Sequence, residues 1–170
     1  QGVVVLPYFK ARPDLGVLWY TWVMGGAVVG RLLGGAIQYK HGYPTAKKFA
    51  ISIAVYLLTS LIEGSYLFAP VMVMIVLNLM SGMMSVTSYN IRIAATQSYV
   101  PNEVRGRFNG VFQMICTLGT IIGQLLSGAL ADFMSERLVM ALFMAINVLA
   151  VLLIMLPGRK YVKPIFNRKV

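Results

Sequence analysis

The sequence predicts an all-α membrane protein, a helical bundle with five full transmembrane helices plus the end of a sixth. Composition, stretch length and patterning carry this expectation. Of 170 residues, 58% are hydrophobic and only 12% charged, with a mean hydropathy of +0.75. A soluble domain carries roughly a quarter charged residues, and a core this small cannot hide so much apolar surface from water, whereas a bilayer favours it. Five apolar stretches reach the roughly 20 residues a helix needs to cross about 30 Å of hydrocarbon: Leu15 to Tyr39, Lys48 to Phe68, Pro70 to Gln97, Phe108 to Phe133 and Arg137 to Leu156. None alternates apolar with polar residues, so helices are expected rather than a barrel.

Each element has its punctuation. Val3 to Phe9 is too short to span and reads as the tail of a helix whose beginning is missing. Arg12-Pro13-Asp14, His41-Gly42-Tyr43-Pro44, Ala69-Pro70, Val100-Pro101-Asn102 and Pro157-Gly158 separate the spans. Residues 1–157 are expected to form the bundle and residues 158–170 a basic cytoplasmic tail. The chain opens on Gln1 with no signal-peptide pattern, which reads as a cut N-terminus.

Lys and Arg in the connections set the expected orientation. With the C-terminus inside the cell, Lys40, Lys47, Lys48, Arg105, Arg107, Arg159, Lys160, Lys163, Arg168 and Lys169 all fall on the cytoplasmic side, against Lys10, Arg12 and Arg137 opposite. The net charge of +10 is then mostly topology, with attraction to anionic lipid near the tail, and nucleic acid is not expected as a partner. The lone Cys116 excludes a disulfide framework and a thiolate metal site.

Gly26, Gly30 and Gly34 recur every four residues on one helical face, and Gly119, Gly123 and Ser127 do the same later. Such ridges let backbones approach closely, either as static packing or as faces that rock during transport. Met72, Met74, Met80, Met83 and Met84 form a flexible, polarizable set that serves either as packing filler or as an adaptable ligand surface.

The stretch Gln97-Ser98-Tyr99-Val100-Pro101-Asn102-Glu103-Val104-Arg105-Gly106-Arg107 resembles the segment between the tenth and eleventh helices of major facilitator transporters. Gly119, Gly123 and the run Gly128-Ala129-Leu130-Ala131-Asp132 are similar to the eleventh helix of that superfamily. The resemblance covers nearly the whole chain as the C-terminal half of a major-facilitator-type bundle, helices eight to twelve plus the end of seven, and within the superfamily is closest to drug and siderophore exporters of the enterobactin and macrolide-efflux types. It implies a multi-pass protein of a bacterial cytoplasmic membrane, a missing N-terminal half as partner, and transport by rocking of two halves about a central site. Residues 35–42 also resemble the Gly-x-x-x-Asp-Arg-x-Gly loop signature: Gly35 and Gly42 match, Lys40 stands for Arg, and Tyr39 replaces the Asp, which removes an Asp-centred charge relay.

Physical chemistry gives the second loop its own role. Pro101 ends the preceding span by removing a donor and restricting Val100. Arg105 and Arg107, one turn before the next helix, are placed to hydrogen-bond to carbonyls at that span's end or to lipid phosphate. Pro101, Arg105, Gly106 and Arg107, with Lys40 and Gly42, are therefore the gating candidates, a topology anchor being the plainer alternative.

Arg31 and Arg92 fall inside predicted spans, where each costs about 2.5–3.5 kcal/mol at a helix centre, so a polar cavity or snorkelling is expected. Asn90 and Gln97 share one face; Ser85, Ser88 and Arg92 share another. Gln113, Thr117, Thr120 and Gln124 run at spacings of four, three and four as one polar stripe. Asn90, Arg92, Gln97 and this stripe are the candidates for lining a small-molecule cavity, with interhelical hydrogen bonding as the alternative for the stripe. Asn147 reads as structural, and Glu63 and Asp132 as carboxylates near outer span ends, either proton-exchanging or surface-facing.

No catalytic set, metal-ligand spacing or phosphate-cradling loop is visible, so neither enzymatic activity nor a cofactor is expected. The leading expectation is efflux of an amphipathic small molecule; an importer of the same fold and a non-transport multi-span subunit remain open.

Overall fold

A computed structural model describes residues 2–12, 14–40 and 47–167. His41 and Gly42 of the first loop and Arg168 and Lys169 of the tail lie outside the described residues. Seven α-helices follow in order: α1 (Gly2–Lys10), α2 (Gly16–Lys40), α3 (Lys48–Ser65), α4 (Val71–Tyr99), α5 (Asn102–Ala131), α6 (Glu136–Ala150) and α7 (Arg159–Phe166). A 3-10 turn over Tyr66–Phe68 extends α3, and a π turn over Val151–Met155 extends α6. Five of these elements are long and apolar enough to cross a membrane, and the described residues include no strand, so the expected all-α membrane bundle is the fold adopted.

One boundary differs. The helix expected from Phe108 begins at Asn102, directly after Pro101, so Arg105, Gly106 and Arg107 occupy the first two turns of α5 rather than a loop before it. A proline at the helix entrance forfeits no helical donor, and Glu103 suits the positive end of the helix dipole. Short connections alternate the spans, placing Lys40, Lys48 and Arg105 at one end of the bundle, the basic end, and the Pro70 turn at the other.

The α2–α4 crossing is the closest contact in the fold. Gly26, Gly30 and Gly34 are buried against α4, and Gly82 of α4 is buried against α2. A Cβ on Gly26 would stand 2.8 Å from the Ile75 carbonyl oxygen, and one on Gly34 would stand 2.9 Å from the Met83 Cα. At Gly30 and Gly82 the added carbon would overlap the carbonyls of Leu79 and Ala27 outright. Here backbone meets backbone, the arrangement small-residue ridges permit where lipid offers no hydrophobic drive to association. At the basic end of the crossing, Gln38 Nε2 donates to Thr87 Oγ1 at 2.8 Å and accepts at Oε1 from Asn90 Nδ2 at 2.6 Å.

The Gly119 and Gly123 ridge is a different case, because nothing lies within 4 Å of where their Cβ atoms would stand. Over its 30 residues α5 buries none, touching chiefly α1 and α6. A small-residue ridge marks a close crossing only where a second helix comes to meet it, and none of the described residues does so here.

The remaining elements pack around the crossing. α1 inserts at the Pro70 end, where Val5, Tyr8 and Phe9 join Val23, Leu67 and Met74 in the core. The Tyr8 hydroxyl donates to the Leu67 carbonyl at 3.0 Å and accepts from Arg137 Nη2 at 2.9 Å, tying α1 to the ends of α3 and α6. Ser60 of α3 lies 3.2 Å from Asn147 Oδ1 of α6, giving Asn147 its expected structural contact. Glu63 is no surface cap: its Oε1 accepts from Ser81 Oγ, a buried hydroxyl of α4, at 2.6 Å. At the basic end α7 lies against α3 and α4, its Phe166 edge-on to Phe49 at 6.2 Å between centroids. Asn167 Oδ1 accepts from the Phe49 backbone N–H at 3.0 Å and so satisfies a donor in the first turn of α3, whose own entry residue Lys47 makes no side-chain cap.

Gly30→Ala should lower the melting temperature of the detergent-solubilised protein sharply, because overpacking a tight contact costs about 1–3 kcal/mol and here the obstacle is backbone. Gly119→Ala should leave it unchanged. A double-mutant cycle of Glu63→Ala and Ser81→Ala, read by thermal unfolding, should return a coupling of roughly 1 kcal/mol, the scale of a buried hydrogen bond.

Candidate functional site

Because α5 stands away from α4 along most of its length, a cleft of about 490 Å³ opens between them toward the basic end. Tyr89, Arg92, Thr96 and Gln97 line it from α4; Asn109, Phe112 and Gln113 line it from α5. The lining contains one cation, several neutral polar groups and two aromatic rings, with no carboxylate.

Arg92 dominates the electrostatics. Its guanidinium carbon lies 4.9 Å from the centroid of Phe112 and 5.4 Å from that of Tyr89, so a ring from each helix meets it. The rings' negative faces partly replace the water lost by the cation. Tyr56 of α3 lies within electrostatic reach of the same charge. Arg31, the other basic residue expected inside a span, is exposed on α2.

The corner below the cleft is held by Arg105. Its Nη2 donates to the carbonyl of Gln97 at 2.8 Å and to that of Val100 at 3.2 Å. Both acceptors belong to the end of α4, where carbonyls lack helical partners, and Pro101 separates them from α5. Arg105 thus ties the first turn of α5 to the last turn of α4. Gly106 and Arg107 are exposed in the first turns of α5 beside this corner, with open space where a Gly106 Cβ would stand, and Lys40 is exposed at the end of α2.

The candidate cavity residues divide among separate places. Arg92, Gln97 and Gln113 meet in the α4–α5 cleft, although Arg92 and Gln97 do not share a helical face; their long side chains reach its mouth from two sides of α4. Thr120 and Gln124 line a smaller cavity of about 180 Å³ with Val4 of α1 and Met140 and Phe143 of α6. Thr117, between the two sets, lines neither. The stripe on α5 is continuous, but the helix facing it changes from α4 to α1 and α6. Thr120 is also satisfied locally, its hydroxyl donating to the Cys116 carbonyl at 2.8 Å. Asn90 does not join Gln97: its amide is engaged by Gln38 across the α2–α4 crossing, beside a different recess that includes Lys48. Gly26, Gly30 and Gly34 are pressed into helix packing, and Gly119 and Gly123 are not. Of the methionines, Met80, Met83 and Met84 line a shallow recess with Ile37 and Gln38, whereas Met74 is buried in the core.

Tyr89, Ile93, Thr96, Asn109, Gly110 and Phe112 are the cleft residues that sequence reasoning missed. The three-residue step from Tyr89 to Arg92 and the four-residue step from Asn109 to Gln113 are the signals that could have found Tyr89 and Asn109. Among the described residues no cluster of His, Cys, Asp or Glu could hold a metal ion.

No curated protein and no solved structure matches the chain. A family model does: that of the Major Facilitator Superfamily, over residues 8–169. The match spans all five membrane-crossing elements, both sides of the cleft and α7. The chain therefore belongs to the major facilitator superfamily, whose members are secondary transporters of small molecules.

Proposed function

We propose that the α4–α5 cleft forms part of the path of an amphipathic small molecule through a secondary exporter of a bacterial cytoplasmic membrane. The observation that carries this reading is the cleft itself: a polar, aromatic-walled recess between two apolar spans, opened because α5 buries none of its residues. Polar groups inside hydrocarbon are costly and face either protein or a water-filled path. The export direction rests on the likeness of the chain as a whole to drug and siderophore exporters and on the adaptable Met80, Met83 and Met84 beside the crossing.

In the same reading the basic end faces the cytoplasm, by the excess of Lys and Arg there, and α7 lies on the inner membrane surface. The uncovered face of α5 meets the helices of an N-terminal half, and the two halves rock about the cleft. Arg105 works as a hinge pin: its bonds to the Gln97 and Val100 carbonyls let α5 tilt relative to α4 without parting from it at the Pro101 corner.

Accessibility to a water-borne thiol reagent tests the path, after Cys116→Ser removes the native thiol. Cysteine at Gln113 or Asn109 should react quickly, and cysteine at Met74 or Ser81, which are buried in the bundle, should stay protected. Equal protection at Gln113 and Met74 would remove the cleft from the pathway. Arg105→Ala should insert normally yet lower dye efflux from energised vesicles about tenfold. A charge-assisted hydrogen bond contributes about 1.5–3 kcal/mol, solvent screening of this half-exposed side chain leaves the lower part of that range, and 1.4 kcal/mol is a factor of ten. Arg105→Lys should recover part of the rate, since one ammonium reaches only one of the two carbonyls at a time.

A further inference from the structure

Arg92 is a permanent cation with no carboxylate to answer it. At the helical rise it stands roughly 30 Å along α4 from Val71, near the basic-end margin of the hydrocarbon region. The chain has five acidic residues: Asp14, Glu63, Glu103, Asp132 and Glu136. Glu63 is bound to Ser81, Asp14, Asp132 and Glu136 belong to the opposite end, and Glu103 is exposed in the first turn of α5. None forms an ion pair with Arg92.

Its two aromatic neighbours, Phe112 and Tyr89, hold the guanidinium carbon and leave the N–H groups unspent, since Arg92 donates no hydrogen bond from its side chain among the described residues. A guanidinium presents those donors as a planar fork that matches a carboxylate, sulfonate or phosphate. Around it in the cleft stand only neutral polar groups, Thr96, Gln97, Asn109 and Gln113, while Ile93 and Phe112 add an apolar wall. Such a lining solvates an oxyanion without competing for the cation, and the wall accepts a hydrocarbon body.

We infer that the cleft takes an amphipathic anion, its acid group held by the Arg92 fork and its apolar body laid along Ile93 and Phe112. The inference rests on the cleft being a ligand path. The anion is either a solute or the headgroup of an anionic lipid, since both present the same oxyanion to the fork.

The test uses the full-length protein in phosphatidylcholine nanodiscs, titrated by calorimetry with 2-naphthoate and with its uncharged methyl ester. The wild type should bind the acid at least tenfold more tightly than the ester. Arg92→Gln should abolish that preference with ester binding unchanged, and Arg92→Lys should keep part of it, having the charge but not the fork. Equal binding of acid and ester by the wild type, or equal weakening of both by Arg92→Gln, overturns the anionic assignment. Gln113→Leu separates that failure from failure of the path. If it weakens both probes the cleft stands as a ligand site, whereas no saturable binding of either probe, or none altered by Gln113→Leu, overturns the cleft and the anion together. Loss of naphthoate binding on adding phosphatidylglycerol, in the wild type only, assigns the anion to the lipid headgroup and overturns the solute.

Discussion

Inside hydrocarbon two apolar helices gain nothing from hiding their side chains from each other, because the lipid is as apolar as they are. What remains is dispersion between surfaces that fit, and the α2–α4 crossing obtains it by removing side chains altogether. Gly26, Gly30, Gly34 and Gly82 bring two backbones together, and Gln38 closes the crossing with bonds to Thr87 and Asn90. α3 and α6 lean on this pair through Glu63, Ser81, Ser60 and Asn147, and α1 plugs its far end. Displacing the crossing would displace the α4 face that carries Tyr89 and Arg92.

α5 is governed by the opposite circumstance. It is a long, apolar helix fastened at its ends, by Arg105 to the final carbonyls of α4 and by its contacts with α1 and α6. Between those attachments it stands clear, and the cleft is the resulting gap. A close-packed pair beside a helix anchored mainly at its ends gives the cleft two unlike walls, one fixed by the glycine crossing and the other held to it chiefly at its ends.

Fold class was legible because the bilayer imposes a minimum length and an apolar composition that all five spans meet. The site was legible only in part. Gly26-Gly30-Gly34 and Gly119-Gly123-Ser127 are the same pattern, and only the position of a second helix makes one a crossing and the other an open ridge. Helical periodicity places Asn90 with Gln97, yet Asn90 is taken by Gln38, a partner 52 residues away that no local spacing reveals. The same rule separates Arg92 from Gln97, although both reach one cleft because their side chains are long and the cleft mouth is wide. Glu63 reads as a residue near a span end, and its reach to Ser81 depends on how α3 and α4 pair. Arg105 was the most readable functional candidate, since proline, an abrupt helix end and a nearby guanidinium leave few other acceptors for its donors. Even there the helix began earlier than apolarity alone suggests, because a polar first turn belongs to α5 as fully as its oily middle.

The cap that Asn167 supplies to α3 has a bearing on biogenesis. Phe49 and Asn167 are separated by 118 positions in the chain. A ribosome synthesising this protein delivers α3 to the membrane long before the residue that completes its first turn has been made. That turn has no such acceptor while three further spans are threaded, and it receives one only when α7 folds back along the basic ends of α3 and α4. A chain truncated before α7 would therefore leave the first turn of α3 without the acceptor that Asn167 supplies, an unfinished helix start open to quality-control proteases.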